Sequence, residues 1–346
     1  MAIIDKPSDY FSAQTWTGTG NAQNITGVDF QPDLVITKAQ YATSQGYFFD
    51  VVRGATKFIA AQTDAAQTTD VQSLKSFNSD GYSIGTANEV SYNGETWVGW
   101  SWKAGTSFTN DASATGIGSI DSAGSVNTDA GISIITYTGT GSAETIAHGL
   151  GATPGFIISR RIDGTDSWMN WNKTFTATQY MFINGTNAVA SASTVFGTLP
   201  TSTVYSTGGG TATGANGGNF ISYCFAEKQG YSKFGSYTGN DNADGTFVYL
   251  GFKPAFVMIK RTNSVNNWIV LDNKRNPFNV LNLQSHLNTT ASATNTTSLD
   301  FLSNGMKMRA TYGGINGDND NFIYMAFAEN PFVTSTGNGS IPACAR

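Results

Sequence analysis

One stretch of this sequence recurs at a constant offset of 100 residues. Tyr237-Thr238-Gly239-Asn240, then Gly251-Phe252-Lys253-Pro254-Ala255-Phe256-Val257-Met258-Ile259-Lys260-Arg261, then Trp268 and Asp272 repeat an earlier series in order and spacing. That series is Tyr137-Thr138-Gly139-Thr140, Gly151-Ala152-Thr153-Pro154-Gly155-Phe156-Ile157-Ile158-Ser159-Arg160-Arg161, Trp168 and Asn172. A more diverged copy runs from Trp16-Thr17-Gly18-Thr19 through Phe30-Gln31-Pro32-Asp33-Leu34-Val35-Ile36-Thr37-Lys38 to Asp50. A period of about 100 residues is the size of a small domain, not of a solenoid unit.

Each copy also closes alike, with Glu95–Lys103, Asn219–Glu227 and Asn321–Pro331. Large and small residues alternate there, as in a half-buried strand. Trp97, Trp100 and Trp102 break strict period two, which points to a bulge or to a strand apolar on both faces. Asp80-Gly81 and Asn304-Gly305 read as type I′ hairpin turns. The stretch from Arg53 to Gln62 is the best candidate helix, but it is short and interrupted and reads equally as a turn or strand. Seven or eight short strands per copy predict an all-β chain of three tandem antiparallel β-sandwich domains, jelly-roll-like in type. The expected division is an arm (1–9), a first sandwich (10–103), a Gly/Ser/Thr-rich linker (104–130), a second (131–229) and third sandwich (230–332), and a tail (333–346).

Composition narrows the function classes. The 346 residues exceed the roughly 250–300 that one core serves, so several domains are expected. Only 12% are charged, against 12% aromatic and 40% hydrophobic. The cores are therefore real and the surface is built mostly of Thr, Ser, Asn and Gln. A net charge of −5 with scattered Lys and Arg argues against nucleic acid as a partner. Met1–Pro7 lacks the apolar core of a secretory signal, and no stretch approaches the roughly 18 apolar residues of a spanning helix. No membrane insertion is expected.

Candidate chemistry is sparse, and no catalytic residue, cofactor or metal is assigned. His148 precedes the repeat proline and His286 has no local partner, so both read as structural. Two His and two Cys match no common zinc spacing. Cys224 lies in an apolar strand-like run and reads as a free buried thiol, with a Cys224–Cys344 disulfide as the alternative. Asn240–Gly245 mimics the first half of a calcium loop, but Gly251 stands where the bidentate Glu belongs. Asp318–Asn321 is a second acidic loop, and a hairpin turn explains both. Trp168 and Trp268 read as core, Asp50-x-x-Arg53 and Asp272-x-x-Arg275 as a repeated structural pair, and Glu227 and Glu329 as inherited scaffold. Where the copies disagree, function is expected: the 104–130 segment, the 208–219 loop, the first copy and the Asp318 loop.

The segments Gly230–Asn240, Phe247–Pro254, Gly131–Gly141, His148–Gly151 and Phe327–Phe332 resemble uncharacterised repeat proteins of tailed phages, especially those of marine bacteria and cyanobacteria. The resemblance implies a virion structural protein, assembled in the host cytoplasm and residing on the tail or capsid surface. A tail fibre or receptor-binding component is the leading expectation, not an enzyme. A capsid decoration subunit and a glycan depolymerase are the alternatives. The partners so implied are other virion proteins, further copies of the chain (a trimer by analogy) and a host surface glycan or protein.

Overall fold

A computed structural model describes residues 3–41 and 44–335. The chain is all-β, built of several antiparallel sheets. The first copy holds β1 (Phe11–Thr17), β2 (Gln23–Ile25), β3 (Leu34–Ala39), β4 (Gly46–Asp50), β5 (Lys57–Ala60), β6 (Thr68–Thr69), β7 (Leu74–Asn78), β8 (Gly81–Ile84), α1 (Asn88–Ser91) and β9 (Thr96–Trp102). Next come β10 (Thr106–Asn110), α2 (Ala112–Thr115) and β11 (Ser122–Asn127). The second copy holds β12 (Ile132–Thr138), β13 (Glu144–Ala147), β14 (Phe156–Arg161), β15 (Met169–Asn172), β16 (Gln179–Phe182), β17 (Ala190–Ser191), β18 (Val204–Thr207), α3 (Thr211–Gly214) and β19 (Asn219–Phe225). The third holds β20 (Ser232–Thr238), β21 (Phe247–Tyr249), β22 (Phe252–Arg261), β23 (Ile269–Asp272), β24 (Leu281–His286), β25 (Thr294–Leu302), β26 (Gly305–Met308) and β27 (Asn321–Pro331).

Strand order repeats with the sequence: β1-β9-β3-β4, β12-β19-β14-β15 and β20-β27-β22-β23. In the first two copies a small sheet, β2-β8-β7 or β13-β18, stands apart from the large one. In the third the large sheet runs on through β24, β25 and β26 to β21, nearly closing on itself.

The central strands are apolar on both faces. In β9, Trp97 joins the core under the small sheet with Val35, Phe49 and Tyr82. Trp100 and Trp102 join a second core on the opposite face. The β1–β9 register is unbroken, so the tryptophan spacing reflects two buried faces and not a bulge. That second core draws residues from all three copies. At its centre, Trp102, Phe225 and Phe327 hold the same register position, opposite Leu34, Phe156 and Phe256. Their rings meet pairwise with centroids 6.4, 5.5 and 5.9 Å apart, all near edge-to-face, an arrangement aromatic quadrupoles favour.

The seams between copies are cyclic. Arg160 Nη2 donates to Asp64 O (2.6 Å) and Ala65 O (2.5 Å) of the first copy. Lys260 Nζ donates to Thr186 O and Asn187 O of the second, both at 3.0 Å. Lys38 Nζ donates to Thr289 O of the third at 2.7 Å. The three cations share one register position, opposite Ile221, Ile323 and Val98. Backbone bonds follow the same rotation: Gln67 N to Ile162 O, Val189 N to Thr262 O and Ala293 N to Gln40 O. Burial lowers the Lys38 and Lys260 ammonium groups to about 8. Carbonyl dipoles stabilise these buried cations without a counter-ion.

Several expectations change. Residues 104–130 are no linker: β10 and β11 form a hairpin that pairs with β12 and widens the second large sheet. Backbone pairing, which composition does not encode, decides this. In the β7–β8 and β25–β26 hairpins, Asn78 faces Gly81 and Leu302 faces Gly305. The central pairs are thus Ser79-Asp80 and Ser303-Asn304, none with positive φ, and glycine closes a turn of ordinary hand instead of a type I′ one. It is needed because a Cβ on Gly81 or Gly305 would run into the Ile25 or Val248 carbonyl of the neighbouring strand. The Arg53–Gln62 stretch is a turn followed by β5.

Candidate functional site

The repeated residues turn out to hold the frame. Trp16 Nε1 donates to Val90 O (2.9 Å), Tyr137 OH to Thr213 O (2.7 Å) and Tyr237 OH to Ile315 O (2.7 Å). Each bond ties the first strand of a copy to the turn or short helix before its last strand. Trp replaces Tyr in the first copy because both end in a donor. The glycine two residues on is obligatory: a Cβ on Gly18, Gly139 or Gly239 would meet the carbonyl of Tyr92, Ala215 or Gly317.

The tryptophans and the Asp-x-x-Arg pairs lie at the seams. Trp168 Nε1 donates to Ala60 O (3.0 Å) and Trp268 Nε1 to Phe182 O (2.8 Å), each in the preceding copy. Asp50 and Asp272 pair with Arg53 (2.5 Å) and Arg275 (2.6 Å), all four side chains at most 2% exposed. Each carboxylate also accepts from a neighbouring copy, Asp50 from Tyr223 OH (2.8 Å) and Asp272 from Trp100 Nε1 (3.1 Å). Glu227 pairs with Lys173 (2.5 Å) and Glu329 with Lys253 (2.7 Å).

The other flagged groups are likewise engaged in structure. His148 is buried, with Nδ1 accepting from Leu150 N and Nε2 facing Thr201 O, both at 3.2 Å. Burial lowers its imidazole to about 4. His286 is lowered by burial, with Lys38 adding to the effect. Cys224 is a free, buried thiol pushed well up by desolvation; Cys344 lies outside the described residues. In the Asn240–Gly245 loop, Asn240 and Asn242 accept backbone bonds from Asn242 and Asp244, and Asp244 pairs with Lys307. Asp320 pairs with Arg261. Among the described residues no cluster of three or more His, Cys, Asp or Glu is placed to hold a metal, and no helix is long and apolar enough to cross a membrane.

One of several surface clefts joins two copies of the repeat. It opens at the seam between the first and third copies, has a volume of about 690 Å³, and is lined by Ser44, Gln45, Tyr47, Asn88, Glu89, Tyr92, Trp97 and Thr290. Tyr47 is fixed on β4, Trp97 on β9 and Glu89 on α1. Trp97 stacks on Trp16, centroids 6.2 Å apart with planes at 13°, and its indole N–H has no partner. Burial pushes the Tyr47 hydroxyl up to about 12; the Glu89 carboxylate adds to this and a bond with Ser44 opposes it. The matching positions elsewhere are Met169 and Ile269 for Tyr47, and Phe220 and Phe322 for Trp97. Divergence of the first copy points to this region. The cleft itself is invisible in sequence, because it joins residues 44 and 290 across a seam.

None of the curated proteins compared matches the chain. A family described as a domain of unknown function, DUF7483, matches residues 6–331, spanning every strand of all three copies. The chain belongs to that DUF7483 family, and the family unit contains the three copies together rather than one of them.

Proposed function

We propose that this chain is a non-enzymatic structural protein of a phage particle, a tail-fibre or receptor-binding component that contacts the host surface. In this reading the three copies are tandem β-sandwich domains closed into a ring. The observation that carries it is the cyclic set of seams around the Trp102–Phe225–Phe327 triangle. Heterologous contacts that close make rings, and here closure lies within one polypeptide. The ring supplies inside one chain the threefold arrangement that analogy assigns to three, so a single copy suffices on a threefold particle axis. The remaining partners are other particle proteins and a host surface glycan. Loops on a rigid frame are where recognition usually resides, and the repeated Tyr, Asp and Arg side chains are engaged in structural bonds.

Antibody-labelled electron microscopy of intact particles tests the reading. Single-copy density at the tail tip, with purified protein competing for adsorption to host cells, is the expected result. Label on the capsid faces would favour a decoration subunit, and shortened host polysaccharide after incubation would favour a depolymerase.

A further inference from the structure

We infer that the cleft between the first and third copies binds a neutral oligosaccharide, a proposal that rests on the host-contact role above. Of its three aromatic residues Tyr92 is open, 51% exposed, while Tyr47 and Trp97 are buried and the Trp97 indole N–H has no partner. An exposed ring of this kind offers an apolar face to the C–H surface of a sugar, and Tyr adds a polar tip. Around the aromatic residues stand groups free to read hydroxyls. Among the described residues, the side chains of Gln45, Asn88 and Glu89 make no hydrogen bond within the protein, unlike most loop Asn and Glu side chains here. Amides both donate and accept, and a carboxylate accepts on two oxygens, which suits adjacent hydroxyls.

Charge selects among sugars. Among the described residues Glu89 is the one charged side chain lining the cleft, and no cationic side chain lines it. An acidic sugar would meet like charge without a counter-ion, whereas a neutral one would not. The volume lies in the roughly 300–1,000 Å³ range of small-molecule sites. The polar ends of Tyr47 and Trp97 are particular to this copy: the other two fill the same strand positions with Met169 and Phe220, or Ile269 and Phe322.

The test applies the intact chain to a printed array carrying neutral oligosaccharides of glucose, galactose, mannose and N-acetylglucosamine beside sialylated and uronic-acid glycans. Retention on neutral spots is expected, weakened at least tenfold by Tyr92→Ala and by Glu89→Gln. Gln45→Ala supplies a second polar variant should Glu89→Gln prove unstable, and Tyr249→Ala, an exposed tyrosine on the third copy, should bind as wild type. Retention only on acidic spots, no retention on neutral ones, or undiminished binding by the cleft variants would overturn the proposal. The position of the protein on the particle is read separately, so those failures leave the host-contact role standing.

Discussion

At the scale of the residue, the repeated polar groups act as ties rather than reagents. Tyr237 contributes one buried bond to Ile315 O. Tyr237→Phe leaves that carbonyl short of a donor and should cost about 1 kcal/mol in urea unfolding, as is usual for one such bond. His148 gives a pH signature. Its bond to Thr201 needs the proton on Nε2, which leaves Nδ1 to accept from Leu150 N. Folded, the ring stays neutral down to about 4, while the unfolded ring protonates near 6.5. The unfolded state therefore holds more protons across that window, and stability declines as pH falls through it, by up to about 3 kcal/mol. Unfolding of wild type and His148→Asn compared at pH 7 and pH 4.5 should show a shallower acid loss in the variant; parallel losses would contradict this account. His286, lowered in the same direction, keeps the variant from becoming flat.

At the scale of the element, the seams are the sensitive places. Trp168 and Trp268 are fully buried and reach a carbonyl of the preceding copy. The matching position in the first copy is Gly46, where Leu287 of the third copy packs close to the space a Cβ would take. One seam thus meets through an aliphatic side chain where two use tryptophan. Trp268→Ala should cost about 3–5 kcal/mol, the range for removing a large core aromatic, measured by chemical denaturation. A loss below 1 kcal/mol would show that the seam is not a packed interior. The strands and their alternation are legible in the sequence, and so is the hairpin position near Asp80-Gly81. The turn's hand was not legible, because the carbonyl of Ile25 that demands the glycine lies on another strand.

At the scale of the whole molecule, the copies are joined by a common core. Leu34, Phe156 and Phe256 belong to the same apolar cluster, as do Trp102, Phe225 and Phe327. Separating the copies would expose that face to water, so they should not melt independently. Scanning calorimetry of the intact chain should give one transition, with calorimetric and van't Hoff enthalpies in agreement. Three resolved transitions would mean that the seams contribute little.

The sequence by itself determined that this chain is β-structured, that it repeats at about 100 residues, and that the shared Tyr, Gly and Trp positions serve the frame. These are local facts, carried by side-chain alternation and by spacing along the chain. Only the tertiary structure decided what the second apolar face of each large sheet is for. A strand buried on both sides needs a partner on each, and nothing in its pattern says whether that partner is a helix, another chain or a sister copy. The same holds for residues 104–130, whose polar strands are placed by backbone pairing to β12. It holds as well for the cleft, whose chemistry arises from residues as far apart in sequence as Ser44 and Thr290 meeting across a seam.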